Sequence, residues 1–222
     1  MPSPNARGDV VTGTLTVPEG WTFAQMRAAI AASSDLRHDA SDWSDAQLMA
    51  ELGAAGQSPE GRFFPDTYRF AKGSSELALY RQAYEAMRKP LDAAWAVRGA
   101  DFPLASTDEV LILASIVEKE TGHENDRRKV AAVFHNRLRL GMLLQTDPTV
   151  IYGLGARFDG NLRRVDLLTD TPYNTYTRAG LPPTPIALPG RAAIEAVMNP
   201  ESTDALYFVA RGDGSSEFSS SL

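Results

Sequence analysis

Ser106-Thr107-Asp108-Glu109-Val110-Leu111-Ile112-Leu113-Ala114-Ser115-Ile116-Val117-Glu118-Lys119-Glu120-Thr121-Gly122 is a largely apolar run that ends abruptly in two carboxylates. It reads as a helix buried over most of its length. Ser106 can cap the first turn, and Glu109, three residues on, can reach back to it in a capping box. Gly122 can take the left-handed conformation that ends a helix. Residues three and four apart share a face, so Glu120 lies with Leu113, Ile116 and Val117, and Glu118 with Leu111, Ala114 and Ser115. Glu120 has the more apolar surroundings and faces the negative end of the helix dipole. Both effects hold the proton on its carboxyl near neutral pH, the state a general acid requires. Glu118, Lys119 and Glu120 also fit the wetted last turn of a core helix. The residues alone favour that plainer reading, because charged helix ends are common and acidic catalysts few.

With 222 residues, 43% of them hydrophobic, the chain is long enough to bury a substantial core, as one large domain or as a small domain beside a larger one. A formal net charge of -6 argues against a broad nucleic-acid footprint. Arg127, Arg128, Lys129, Arg137 and Arg139 do cluster, but at helical spacing they read as the solvated face of an amphipathic helix. The sequence has no cysteine, which excludes disulfides, thiol nucleophiles and zinc-thiolate sites together. His38, His123 and His135 are too scattered for a metal motif, so neither a metal nor any other cofactor is expected. No run reaches the length of a transmembrane span, and Met1 to Gly8 lacks the apolar core of a signal peptide. Residues 1–9 read as a flexible leader. The chain as written is expected to be soluble, as would be a longer chain trimmed of an anchor.

β-Branched alternation from Val10 to Val17 predicts a strand, and Pro18-Glu19-Gly20 a turn. Thr22 can cap a helix to about Ala32, and a second short helix is expected from Ser44 to Leu52, ended by Gly53. Phe63 to Phe70 brings a second strand that can pair with the first. This strand-helix-helix-strand unit contains no catalytic constellation. A helical stripe of Leu77, Tyr80, Tyr84, Met87, Leu91 and Trp95 follows, with Pro90 expected to kink or divide it. After the buried helix comes another from about Asp126 to Leu140, with Val130, Val133, Phe134 and Leu138 inward. Between Gln145 and Pro189 the chain is dense in Thr, Tyr, Asn, Gly and Pro, which predicts loops and short turns. A helix over 190–198 and a hairpin of strands near 205–210 and 217–218, turned by Arg211-Gly212-Asp213-Gly214, close the chain.

Rigid folds place binding residues on such loops. Leu144 to Gly153, Tyr173 to Tyr176 and Gly180 to Pro185 combine amide, hydroxyl and aromatic groups, the mixture that binds sugars. The candidate contacts are Gln145, Thr146, Asp147, Tyr152, Tyr173, Asn174 and Tyr176. Asp147-Pro148 also fits a helix cap with proline at the first helical position, and Tyr173-Asn174-Thr175-Tyr176 a packed corner in which Asn174 satisfies backbone groups. A hydrolase with two carboxylates would need a partner for Glu120, with Asp147 nearest in sequence. A lone glutamate fits a route in which a hydroxyl of the substrate is the nucleophile. The residues leave these routes open.

Together these motifs resemble the MltG (YceG-like) family of bacterial endolytic murein transglycosylases. The resemblance rests on Glu60-Gly61 through Tyr68, Ala114 through Thr121, Val133 through Leu138, Leu144 through Gly153, Tyr173 through Tyr176, Gly180 through Pro183 and Leu206 through Val209, in the family's order. It implies an α+β chain. A small LysM-like β-α-α-β subdomain over 10–72 precedes a mainly helical, lysozyme-like catalytic domain over 73–222 with a small C-terminal β element, its end truncated. It implies cleavage of the β-1,4 bond between N-acetylmuramic acid and N-acetylglucosamine without water, leaving a 1,6-anhydro-muramyl end and limiting nascent strand length. The catalytic role falls on Glu120 rather than Glu118. Implied partners are peptidoglycan glycan strands and peptidoglycan synthases, with no nucleic acid. Members usually begin with a helix in the cytoplasmic (inner) membrane, absent here, so this chain reads as a soluble extracytoplasmic fragment of a single-pass protein. The alternatives are a hydrolytic muramidase using Glu120 and Asp147, and a non-catalytic peptidoglycan-binding scaffold.

Overall fold

The computed structural model describes residues 11–100, 102–121, 123–212 and 215–221. The leader over 1–9, the helix-ending Gly122 and the turn residues Asp213 and Gly214 lie outside the described residues.

The first unit builds as its sequence dictates. Strand β1 (Thr12–Thr16) alternates exposed and buried residues. Helix α1 (Phe23–Ala31) starts at a reciprocal capping box between Thr22 and Gln25, and α2 (Asp45–Glu51) at another between Ser44 and Gln47. Gly53 takes φ 78° just beyond α2. Strand β3 (Thr67–Ala71) runs antiparallel to β1, with Leu15 opposite Tyr68, so both face the core under α1 and α2. Two-residue strands β2 (Leu36–Arg37) and β4 (Ser74–Ser75) pair in parallel and tie the α1–α2 connection to the next helix. This bridge has no sequence signal, since two residues carry no periodicity.

Helix α3 (Glu76–Ala96) runs unbroken through Pro90. The proline neither divides it nor ends its apolar stripe, because it withdraws a single donor near the C-terminal end. Leu79, Tyr80, Ala83 and Tyr84 belong to the first core, with Phe23, Met26, Phe63 and Tyr68, whereas Met87 and Leu91 belong to the second. One helix therefore serves both cores.

The second core surrounds α4 (Thr107–Glu120), where every residue from Val110 to Val117 is buried. Ser106 caps it as expected, but Glu109 reaches the amide of Ala105 rather than that of Ser106, at 2.7 Å. Helices α5 (Glu124–Arg139) and α8 (Arg191–Met198) pack against α4. The loop-rich third holds two further short helices, α6 (Asp147–Leu154) and α7 (Arg164–Leu168). Strands β5 (Tyr207–Ala210) and β6 (Ser216–Ser219) form the terminal antiparallel hairpin, with Phe208 and Phe218 against the second core. The α+β class is as expected.

The two cores meet at both ends of α4. The amide of Gly20 donates to Leu188 O at 2.9 Å, and the amide of Leu188 to Trp21 O at 2.6 Å, so the β1–α1 turn is stitched to the 185–190 segment. Lys119 Nζ donates to Gly20 O at 3.3 Å, and Arg62 pairs with Asp108 at 2.9 Å. Gly61, at φ 76°, sits so close to Pro185 that an added Cβ would fall 2.4 Å from its ring. Gly61→Ala should therefore lower stability by about 2 kcal/mol, from the positive φ and the overlap together. A urea midpoint equal to that of the parent chain would contradict this.

Candidate active site

Glu120 ends α4 facing a hollow of about 280 Å3, shared with Arg137, Gln145, Asp147, Tyr176 and Phe208. Three helices and strand β5, which brings Phe208, build it. Helix α4 supplies the carboxyl, α5 supplies Arg137, and the first turn of α6 supplies Asp147. The Thr146 hydroxyl donates to Glu120 Oε1 in a short hydrogen bond. Burial pushes the Glu120 carboxyl up from the ordinary carboxylate range. The Thr146 bond opposes the shift, the Asp147 charge adds to it, and Arg137 opposes it. The net direction favours the protonated form relative to an exposed glutamate.

Thr146 is held from behind. Its amide donates to Thr175 Oγ1 at 3.1 Å, Thr149 Oγ1 donates to Thr146 O at 2.8 Å, and Thr149 and Thr175 share a bond of 2.9 Å. Gln145, just before it, is the only non-glycine at positive φ among the described residues, at 51°. Its amide donates to Thr175 O at 3.1 Å, which holds the strained backbone in place.

Asp147 is the first residue of α6, and Thr146 occupies the cap position. The cap expected at Asp147 is thus displaced by one residue, and its carboxylate is free to accept from the Tyr176 phenol across the hollow. Burial, with Asp147 and Glu120 nearby, keeps that phenol protonated.

The expected binding residues divide. Gln145, Asp147 and Tyr176 line the Glu120 hollow. Thr146 is 1% exposed and works behind Glu120. Asn174 is fully buried; its amide donates to Asp166 O, Leu167 O and Thr169 O, and its oxygen accepts from the Tyr176 amide at 2.9 Å. With both ends of the side chain used, it offers nothing to a ligand surface and sets the Tyr176 corner instead. Tyr152 lines a different, larger hollow of about 1000 Å3, with Thr22, Gln25, Glu60, Ile151 and Phe158. Tyr173 packs edge-on to Tyr152 at 5.0 Å and shares a hydrogen bond of 2.8 Å with Thr184.

Glu118 turns away from Glu120 and accepts from the Gly190 amide at 3.0 Å, at the start of α8. Its carboxyl is also raised by burial, but its bond is to scaffold.

Arg137 departs from the expected solvated face. It is buried, with Nε donating to Leu206 O at 2.7 Å and Nη1 to Leu144 O at 2.8 Å and Leu143 O at 3.3 Å. Helical spacing placed it with the exposed arginines, but its acceptors come from other parts of the chain. Glu60 is the second residue that sequence reading passed over. It is 5% exposed, it accepts from the Phe23 amide at 2.9 Å and the Tyr152 phenol at 3.1 Å, and burial pushes its carboxyl up to about 7. No group of His, Cys, Asp or Glu suited to a metal occurs among the described residues.

A carboxyl raised by burial at the end of a buried helix, open to a hollow lined by hydroxyl, amide and aromatic groups, is an arrangement that a general acid can use. The YceG-like family model matches residues 5–222, and the chain belongs to that family. It is 39% identical over 165 residues to an endolytic murein transglycosylase of Bacillus subtilis, covering 73% of this chain and 45% of the relative. Against the endolytic murein transglycosylase of Streptococcus pneumoniae D39 the figures are 30% over 228 residues, 90% and 41%. The chain thus spans less than half the length of either enzyme. Among solved structures, the YceG-like protein lmo1499 from Listeria monocytogenes superposes with a TM-score of 0.76 at 31% identity, covering 96% of this chain and 74% of that one.

Proposed function

We propose that this chain is the catalytic part of an endolytic peptidoglycan transglycosylase, with Glu120 as both acid and base. The observation that carries the reading is the Glu120 carboxyl itself, buried, bonded to Thr146 and raised above the ordinary carboxylate range by burial, with Asp147 adding to the shift. The two relatives named endolytic murein transglycosylase support it.

Glu120 gives its proton to the oxygen linking N-acetylmuramic acid to N-acetylglucosamine as the C1–O bond breaks, and the glucosamine side leaves with a free 4-hydroxyl. The resulting carboxylate then takes the proton of the muramyl 6-hydroxyl as O6 bonds to C1. The acid is regenerated, no water is consumed, and the muramyl end closes as a 1,6-anhydro ring. Asp147, bonded to Tyr176, contributes charge that favours the protonated acid and the cationic sugar. Gln145 and Tyr176 contact the sugar, while Thr146 and Asn174 act from beneath. The LysM-like unit over 10–72 and the larger hollow beside α6, through the face of the Tyr152 ring with Tyr173 packed behind it, hold the strand further from the cut. The reaction takes place outside the cytoplasm, on nascent strands made by peptidoglycan synthases, and limits their length; the intact protein is anchored in the inner membrane.

Asp147 in the same hollow favours one second reading, hydrolysis with water as nucleophile. Mass spectrometry of digested peptidoglycan separates the two. Anhydro-muramyl ends are expected; reducing muramic acid ends with 18O incorporated from labelled water would establish hydrolysis instead.

A further inference from the structure

Helix α6 is weakly anchored by packing, since Thr149 and Val150 are its only buried residues. Polar side chains hold it at both ends. At the start, Thr146 bonds Glu120 and Thr149 bonds Thr175. Towards the other end, the Tyr152 phenol donates to Glu60 Oε2 at 3.1 Å. Glu60 belongs to the first unit, 92 residues away in sequence, and its other oxygen is fixed at 2.9 Å by the Phe23 amide, the first of α1. Thr22 and Gln25 cap α1 through each other's amides, and Glu60 takes the buried Phe23 amide, so one carboxyl oxygen serves α1 and the other is left for Tyr152 of α6. The neighbouring Gly61 is wedged against Pro185, which leaves Glu60 little room to move.

We infer that Glu60 is a positioning residue for the reaction at Glu120, acting through Tyr152 to hold α6, and with it Thr146 and Asp147, in register with the end of α4. The inference rests on the reading of Glu120 given above. Without the Glu60 bond, the outer half of α6, which is only partly buried, can swing. The Thr146 hydroxyl and the Asp147 charge then move away from the acid. Misplacement of this kind lowers the rate of the bound complex more than it weakens binding, because the groups that shift orient the acid rather than grip the strand. Glu60 is not among the residues that line the Glu120 hollow, and its side-chain hydrogen bonds go to Phe23 and Tyr152 outside it.

The test is a double-mutant cycle on the full chain, with rates of cleavage of uncrosslinked glycan strands measured over a range of strand concentrations. Glu60→Ala and Tyr152→Phe, the latter keeping the ring that faces the larger hollow, are each expected to lower kcat about tenfold, with any change in KM much smaller than that in kcat. The double variant should be no slower than either single one, since both break the same link. Glu60→Gln should restore most of the rate, because its amide keeps an acceptor for Phe23 and a donor toward the Tyr152 oxygen. Should Glu60→Ala fail to fold, Tyr152→Phe, which removes one hydroxyl from a half-buried ring, carries the test alone. A Tyr152→Phe chain with raised KM and normal kcat, an unchanged rate, or additive losses would overturn the inference. Glu120→Gln is run in parallel. If it cleaves normally, the reading of Glu120 fails and the inference with it; if it is inactive while Tyr152→Phe is normal, the inference alone fails.

Discussion

Glu120→Gln should slow strand cleavage about ten-thousand-fold, about 5.5 kcal/mol of barrier, while leaving the chain folded. The glutamine keeps the carbonyl oxygen that accepts from Thr146 and resembles the protonated carboxyl in shape and charge. It can neither give a proton to the leaving oxygen nor take one from the 6-hydroxyl, so both halves of the reaction lose their proton carrier. A general acid contributes about a hundredfold to ten-thousandfold, and one residue acting twice belongs at the upper end. The measurement is release of anhydro-muropeptides per unit time beside the melting temperature of each protein. A variant that works at the parent rate sinks the assignment.

The direction of the pKa shift adds a second signature. The folded carboxyl is raised above its unfolded value, so the stability it contributes is full below the unfolded pKa and is lost as pH rises through the folded one. Glu120→Gln should therefore gain stability over the parent on the alkaline side of that window and not on the acid side. Over the same window the parent enzyme loses activity, because the acid gives up its proton before substrate arrives. A stabilised but inactive variant is the usual mark of a buried functional group.

Local sequence signals located most of the scaffold. The Thr22–Gln25 and Ser44–Gln47 capping boxes, the positive-φ Gly53 and the apolar run of α4 are all written in residues within a few positions of one another. The apolar face on which Glu120 lies was legible for the same reason, but spacing alone favoured a wetted helix end, and only the family resemblance gave Glu120 a catalytic role. What was not legible depends on long-range partners. Nothing near Glu60 announces that Tyr152 will donate to it, and nothing in Asn174 distinguishes a sugar contact from the buried bracket it forms under Tyr176. The strained φ of Gln145 is equally silent, because glutamine carries no turn preference that would betray it.

Arg137 is the largest of these silent contributions, and its removal should be the most destabilising of the predicted substitutions. Its guanidinium donates to carbonyls of Leu143, Leu144 and Leu206 and lies over the Tyr207 ring, 5.2 Å from the centroid. One side chain thus joins α5, the turn leading to Gln145 and the entry to β5. Arg137→Met keeps the apolar stem but leaves three carbonyls without their donor. At about 1–3 kcal/mol for a buried group left unsatisfied, partly relieved by water at the edge of the hollow, the expected loss is about 4 kcal/mol. Arg137→Lys should recover little, because a single ammonium cannot reproduce a fork that spans separate carbonyls. Activity should fall further than the folded fraction does. Freed from Arg137, the turn can relax the strained Gln145, and Thr146 leaves Glu120 as it does so. Urea unfolding and cleavage rates on the same preparations decide the matter. A lysine variant as stable and active as the parent would show that the charge alone suffices and that the forked geometry is incidental.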